Sequence, residues 1–147
     1  ANCYIILIMK LINNNIFINT YPKSVNDITQ YAIENIKSSN TKNGLCTLFI
    51  KHTSASLIIQ ENADPAVLRD IENFFNKLVP EDERLYEHDC EGPDDMPAHI
   101  RSLLTNTSIS IPIENSKLVL GTWQAIYLYE HRNQGYHRNI YQQIIGE

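Results

Sequence analysis

The sequence is organised around residues 86–101, which read Tyr86-Glu87-His88-Asp89-Cys90-Glu91-Gly92-Pro93-Asp94-Asp95-Met96-Pro97-Ala98-His99-Ile100-Arg101. This stretch combines imidazoles, carboxylates, a thiol and a guanidinium, a mixture that no hydrophobic core requires. Gly92-Pro93 predicts a loop, and Asp94 or Asp95 can then cap a helix that carries Pro97 in its first turn. The stretch therefore presents His88 from a loop and His99 from a helix.

Two neutral imidazoles beside carboxylates are typical of a divalent-metal site. A third histidine, His52, closes a strand predicted over residues 45–52 and can reach the same rim. We therefore predict that His52, His88 and His99 are metal ligands, with zinc favoured and magnesium as the alternative. A hydrogen-bonded structural role is the alternative for each histidine taken alone.

The acids of the same stretch are candidates for catalysis. If His88 and His99 bind a metal, some carboxylates would orient the imidazoles and another would act as general base. Asp95 and Asp94 stand four and five residues before His99, so they are favoured, with Glu87 as a further candidate. The alternative is a solvated acidic loop.

Three other segments suggest substrate contacts. Asp64 and Pro65 fit the N-cap and N1 positions of a helix, where Asn62 and Asp64 either cap the helix or hold a phosphate. Trp123 with Gln124 forms either core packing or the wall and edge of a site for a flat ring. His131 with Arg132 suits contact with an anion.

The composition excludes several classes of protein. The 147 residues are 43% apolar and 20% charged, which indicates one folded domain. A net charge of -5 without a basic cluster argues against nucleic-acid binding. The longest apolar run, Tyr4 to Met9, is too short to span a membrane, and we expect no membrane partner. Three scattered cysteines favour a reducing compartment, so we expect a cytosolic protein.

The hydrophobic pattern predicts an α+β fold without a repeat or a linker. A β-hairpin is predicted from Tyr4–Ile12 and Ile16–Thr20 around Asn13-Asn14-Asn15. The remaining elements are a helix from Val25 to Ile36, strands over 45–52 and 57–60, a helix from Pro65 that buries Val67, Leu68, Ile71, Phe74, Phe75 and Leu78, the helix around His99, and strands near 108–113, 118–120, 123–130 and 141–145.

Five motifs in this order resemble the YjbQ-like family, proteins also described as secondary thiamine-phosphate synthase enzymes. They are His52-Thr53-Ser54-Ala55-Ser56, residues 61–65, Tyr86-Glu87-His88-Asp89, residues 91–100, and Gly121-Thr122-Trp123-Gln124 with Glu130-His131-Arg132. The resemblance leaves residues 1–12 outside the match. Ser116 and Ala125 stand where the family pattern has glycines.

The resemblance implies a single α+β domain of antiparallel or mixed sheets, a homotrimer, and a metal-bearing cleft lined by His52, His88 and His99. It also implies weak thiamine phosphate synthase activity, in which Arg101 or Arg132 would neutralise departing pyrophosphate and Trp123 would face a pyrimidine. We expect a metal-dependent enzyme acting on a small phosphorylated substrate. A zinc hydrolase and a non-catalytic module that binds a metal or small ligand are the alternatives.

Overall fold

The computed structural model describes residues 8–147, which form one α+β domain. The α-helices in this range are α1 (Thr29–Ser39), α2 (Pro65–Leu78) and α3 (Asp95–Leu104), and a short 3-10 helix spans Glu83–Leu85. The strands are β1 (Lys10–Asn19), β2 (Val25–Asp27), β3 (Gly44–Ile50), β4 (Ala55–Glu61), β5 (Ser108–Glu114), β6 (Lys117–Leu118), β7 (Gln124–Glu130) and β8 (His137–Gly146). No helix in this range is long and apolar enough to cross a membrane.

Two antiparallel sheets enclose the core together with α1. The larger sheet has the order β1-β8-β3-β5-β6, and the smaller has the order β2-β7-β4. Alternate residues of the strands point inward, and Ile28, just before α1, joins Ala32 and Ile36 of α1 in the same apolar cluster. Burial of these side chains is the main stabilising term of the fold.

The hairpin predicted at the amino terminus is wrong within the described residues. Residues 10–19 form one continuous strand, and Asn13, Asn14 and Asn15 pair with residues 141–143 of β8. Asn13 and Asn15 point to the exposed face of the sheet, where an amide needs no core partner. Pairing along ten residues of β8 therefore overrides the turn preference of asparagine. The part of this prediction on residues 4–7 lies outside the described residues.

The first predicted helix begins four residues too early. Val25 to Asp27 form β2, which pairs with β7, and α1 begins at Thr29. The Asp27 carboxylate accepts a hydrogen bond from the Thr29 backbone N–H at 2.9 Å. This contact satisfies one of the backbone N–H groups that have no partner within the first turn of the helix. It therefore favours the change from strand to helix at this point.

The second helix has the predicted bounds but not the predicted burial. Asp64 caps α2 by accepting a hydrogen bond from the Ala66 N–H, and Pro65 is its first residue. None of its residues is buried, and Phe74 and Leu78 are 61% and 53% exposed. The apolar stripe of α2 therefore lies largely outside the core.

Candidate metal centre

The turn before α3 brings His88 to the start of that helix. Gly92 adopts a φ of +104°, which residues with a side chain rarely adopt, and the Asp95 N–H bonds to the Gly92 carbonyl. Within α3, Asp95 and His99 are four residues apart and therefore share one helix face. Loop and helix thus converge on the Asp95 carboxylate.

His88, Asp95 and His99 form the cluster with the geometry of a metal site. His88 Nε2 lies 2.7 Å and His99 Nε2 lies 3.2 Å from the same oxygen, Asp95 Oδ2. The three candidate ligand atoms lie within 4.8 Å of one another. Ligands at about 2.0–2.1 Å around a tetrahedral zinc ion would be separated by about 3.3 Å, so a small opening of the cluster admits an ion.

The hydrogen bonds of His99 restrict what can lie at its Nε2 atom. Its Nδ1 lies 2.9 Å from the Thr53 carbonyl oxygen, which can only accept, so Nδ1 must carry a proton. Its Nε2 faces the Asp95 carboxylate, which is also an acceptor. The ring therefore needs either a second proton or a cation at Nε2, and a Nδ1–H bonded to a carbonyl is the usual arrangement of a metal-bound histidine.

The second oxygen of the Asp95 carboxylate is paired with a guanidinium. Asp95 is 2% exposed, and its Oδ1 lies 2.8 Å from Arg132 Nη1. Burial tends to raise the pKa of this carboxyl, but the His88 hydrogen bond and the Arg132 charge hold the pKa below its ordinary value. Asp95 therefore stays ionised, which a metal ligand requires.

A cavity of about 320 Å³ adjoins the cluster. It is lined by His99 and His52, by the apolar side chains of Met96, Ile100 and Leu103, and by Thr53, Ser102 and Thr107. A volume of this size suits a small organic molecule. The cluster and the cavity share His99, so a molecule in the cavity would lie beside an ion held by His88, Asp95 and His99.

The sequence of the whole domain matches a family description. The family model of the UPF0047 protein YjbQ-like family matches residues 14–147. The chain belongs to this YjbQ-like family. It is 54% identical over 128 residues to the UPF0047 protein sll1880 of Synechocystis, with 87% of each chain covered. It is 49% identical over 104 residues to the UPF0047 protein YjbQ of Escherichia coli O157:H7, covering 71% of this chain and 75% of that protein.

Solved structures support the same conclusion for the YjbQ-like fold. A protein of unknown function from Sulfolobus solfataricus, described as YbjQ-like, superposes with a TM-score of 0.86 at 27% identity, covering 95% of this chain and 99% of that one. A YjbQ/UPF0047 family protein from Clostridium acetobutylicum gives a TM-score of 0.81 at 36% identity, with 89% and 98% covered. The recognition of the family from five motifs is therefore confirmed.

One departure from the YjbQ-like pattern has a structural explanation. Asn115 and Ser116 form the two-residue turn between β5 and β6, with φ values of 51° and 64°. A turn with two positive φ angles favours glycine, because a side chain costs roughly 1 kcal/mol there. Ser116 lies in an exposed turn, where a conformational cost of this size is tolerated. Ala125, the other departure, is buried in β7.

His52, predicted as the third metal ligand, is not part of the cluster. It follows β3, and its Nε2 accepts a hydrogen bond from the Asn139 backbone N–H at 2.8 Å. Burial and the charge of Arg138 lower its pKa, so the ring is neutral at pH 7. The lone pair that a metal would need at Nε2 is already used, and His52 reaches only the cavity.

Asp94, one of the two acids favoured as general base, is bound to Arg132 and not to the imidazoles. Its Oδ2 accepts hydrogen bonds from Arg132 Nε at 2.9 Å and from the Asn133 N–H at 2.7 Å. Burial alone would raise its pKa, but these bonds keep the pKa below its ordinary value. The assignment of Asp94 as base does not fit this placement, because its carboxylate is a structural partner of Arg132.

The other predicted catalytic residues are also displaced from the cluster. Arg101 is 1% exposed and binds Glu72 and Asn76 of α2, so its charge is neutralised inside the domain. Glu87 is exposed, and no hydrogen bond or ion pair of its carboxylate occurs among residues 8–147. Glu91, an acid of the same stretch that was considered but not favoured, lies nearer: its Oε2 is 3.4 Å from His88 Nε2. Its position three residues after His88 is the signal that could have singled it out.

Four predicted substrate residues lie together at the opposite end of β4. Ala55 pairs with Glu130 near the cluster, whereas Glu61 pairs with Gln124, six residues and roughly 20 Å farther along the strand. The Asn62 N–H binds the Trp123 carbonyl at 3.0 Å. Trp123 is 63% exposed, and Gln124 accepts a hydrogen bond from the Gly121 N–H. Asn62, Asp64, Trp123 and Gln124 are therefore separated from the cluster within one chain.

His131 and Arg132, predicted to contact an anion, are both buried in the domain. Arg132 binds Asp94 and Asp95 as described above. His131 is fully buried, with Nε2 2.8 Å from Ser56 Oγ and its ring 4.3 Å from that of Tyr129. Burial, aided by the charge of Arg101, lowers the pKa of His131 to about 3. The ring is a neutral core group that no surface anion reaches.

The low pKa of His131 predicts a specific loss of stability in acid. The unfolded chain binds a proton on this ring below about pH 6.5, whereas the folded chain does so only near pH 3. The free energy of unfolding should therefore fall as the pH drops through this window, by up to about 1.4 kcal/mol per pH unit from this group. Urea titrations at several pH values measure the free energy of unfolding of the wild type and of His131→Gln. The difference between the two proteins isolates the contribution of His131, because they share all other titrating groups. Parallel pH profiles of the two proteins would contradict the assignment.

Proposed function

We propose that the protein is a divalent-metal-dependent enzyme in which His88, Asp95 and His99 hold a zinc ion. The observation that carries this proposal is the pairing of His99, whose two ring nitrogens both face oxygen acceptors. Two imidazoles and one carboxylate are a common ligand set of catalytic zinc sites, and three protein ligands leave one position open. Imidazole ligands favour zinc over magnesium, which prefers oxygen.

Each side chain of the cluster has a part in the proposed chemistry. A bound zinc ion would supply Lewis acidity and activate a water molecule. The Thr53 carbonyl fixes the orientation of His99, and Arg132 fixes that of Asp95. Glu91, with a side chain that is 64% exposed, is the carboxylate available to accept the proton of the attacking water. The adjoining cavity would bind the substrate. These roles describe a hydrolase.

The thiamine phosphate synthase activity implied by the resemblance is the less favoured version. Release of pyrophosphate needs cations that face the substrate. Arg101 and Arg132 are instead paired with Glu72, Asp94 and Asp95, and Arg138 is paired with Glu130 at 2.5 Å. The cavity beside the cluster is largely apolar. A phosphorylated substrate therefore has less support than a neutral one.

A homotrimer in the cytosol remains part of the proposal. The exposed apolar side chains of α2 and α3, Phe74, Leu78, Leu103 and Leu104, are 53–81% exposed. Exposed apolar side chains on neighbouring elements are typical of interaction surfaces. Contact through this surface would bring α3, which carries Asp95 and His99, close to a neighbouring subunit.

Substitutions in the cluster should separate ligands from the proposed base. Asp95→Asn and His99→Ala should reduce bound zinc to background, because each removes one of three ligands. Glu91→Gln should keep about one equivalent of zinc but reduce turnover by roughly 10²–10⁴. Zinc is measured by elemental analysis, and turnover by a screen of carboxylic esters, amides, phosphate esters and the two thiamine phosphate precursors.

Asp89→Asn is the matched control, since Asp89 is an exposed acid of the same loop whose one described side-chain partner is Cys90. It should change neither zinc content nor turnover. Zinc content that survives both ligand substitutions would refute the metal site. Zinc lost as expected, with no turnover in the wild type on any substrate, would favour a binding module over an enzyme.

The trimer predicts a solution mass of about 51 kDa, three times the 16.9 kDa of one chain. Sedimentation equilibrium at micromolar concentration measures this mass. Phe74→Ser should weaken association because it removes an exposed ring from the proposed interface. Asn73→Ser, a substitution of an exposed polar neighbour on α2, should not. A wild type that sediments as a monomer would rule out the trimer and any site shared between subunits.

A further inference from the structure

The imidazole of His52 is held in one tautomer. A backbone N–H can only donate, so Nε2 of His52 must accept from the Asn139 N–H at 2.8 Å and carries no proton. The remaining proton of the neutral ring is therefore on Nδ1. The Nδ1–H group has no hydrogen-bond partner among residues 8–147 and is not sealed from solvent. His52 thus offers one oriented donor.

The imidazole that carries this donor lines the cavity beside the cluster. His52 and His99 line the same space, and His99 marks the side at which the proposed zinc would lie. Hydroxyl groups elsewhere in the lining are partly occupied, since Ser102 donates to the Ala55 carbonyl. The rest of the lining is chiefly the apolar surface of Met96, Ile100 and Leu103. A molecule in the cavity would meet a metal, a neutral N–H donor and an apolar wall.

We propose that His52 is a catalytic hydrogen-bond donor to a carbonyl oxygen and that the substrate is a neutral acyl compound, an ester or amide with an apolar body. This inference rests on the proposed function and deepens it. In hydrolysis the oxygen of water bonds to the carbonyl carbon, and the bond from that carbon to the leaving oxygen or nitrogen breaks. Glu91 takes a proton from the water and returns it to the leaving group. The His52 Nδ1–H bonds to the oxygen on which negative charge develops.

A neutral imidazole is suited to this part. It donates without bringing a positive charge beside the metal, and a donor fixed before the reaction needs no rearrangement in the transition state. An anionic phosphate would meet no arginine or lysine on this wall, since none is among the described residues that line the cavity. Arg138, the arginine that binds Ser54, is already paired with Glu130. The apolar wall and the neutral donor of His52 therefore favour an uncharged acyl group.

The test uses the zinc-loaded protein with 4-nitrophenyl butyrate as the ester and bis(4-nitrophenyl) phosphate as the anionic comparison. His52→Ala should keep its zinc and bind the ester with a similar KM, but its kcat should fall by about 10²–10³. His52→Gln should recover part of this loss, since its amide can accept from the Asn139 N–H and still donate. His137→Ala is the matched control, because the His137 ring stacks on Phe17 and binds Asn19.

Nitrogen-15 NMR of the histidine rings provides a readout that does not depend on turnover. It should find His52 protonated on Nδ1 and not on Nε2. A proton on Nε2, loss of zinc in His52→Ala, an unchanged kcat, or preference for the phosphate diester would each overturn the inference. A wild type without zinc would instead overturn the proposed function, and the NMR result would then still decide the tautomer of His52.

Discussion

The structure of the site depends on one buried carboxylate. Asp95 is 2% exposed and must be compensated, because an isolated charge in a protein interior is costly. Arg132 compensates one oxygen, and the imidazoles of His88 and His99 surround the other. These partners come from the end of β7, the acidic loop and α3. The need to satisfy one charge therefore brings three separate segments of the chain to one point.

The sequence predicted the parts of this arrangement that are local. The Asp64 cap, the helix around His99 and the convergence of His88 with His99 follow from spacing and turn chemistry within a few residues. The choice between Asp94 and Asp95 does not, because it depends on where Arg132 lies, 37 residues beyond Asp95 in the chain. The role of His52 likewise depends on Asn139, which is brought near by the pairing of β3 with β8.

The errors in the fold have the same origin. Asn13-Asn14-Asn15 favours a turn locally, but ten residues of pairing with β8 keep the chain extended. The stripe of α2 has the spacing of a buried helix, yet Phe74 and Leu78 remain exposed in the single chain. Spacing shows that a face is apolar, and it does not show whether the face meets the chain's own core or another surface.

In the proposed site, two imidazoles and one carboxylate, supplied by His88, His99 and Asp95, hold a zinc ion without His52. X-ray absorption spectroscopy of the zinc-loaded protein tests this most directly, since multiple scattering from imidazole rings counts the histidine ligands. The proposed site should show two imidazoles, with oxygens as the remaining ligand atoms at about 2.0–2.2 Å from the zinc. A spectrum that requires three imidazoles would contradict this ligand set and would indicate that His52 is the third imidazole ligand.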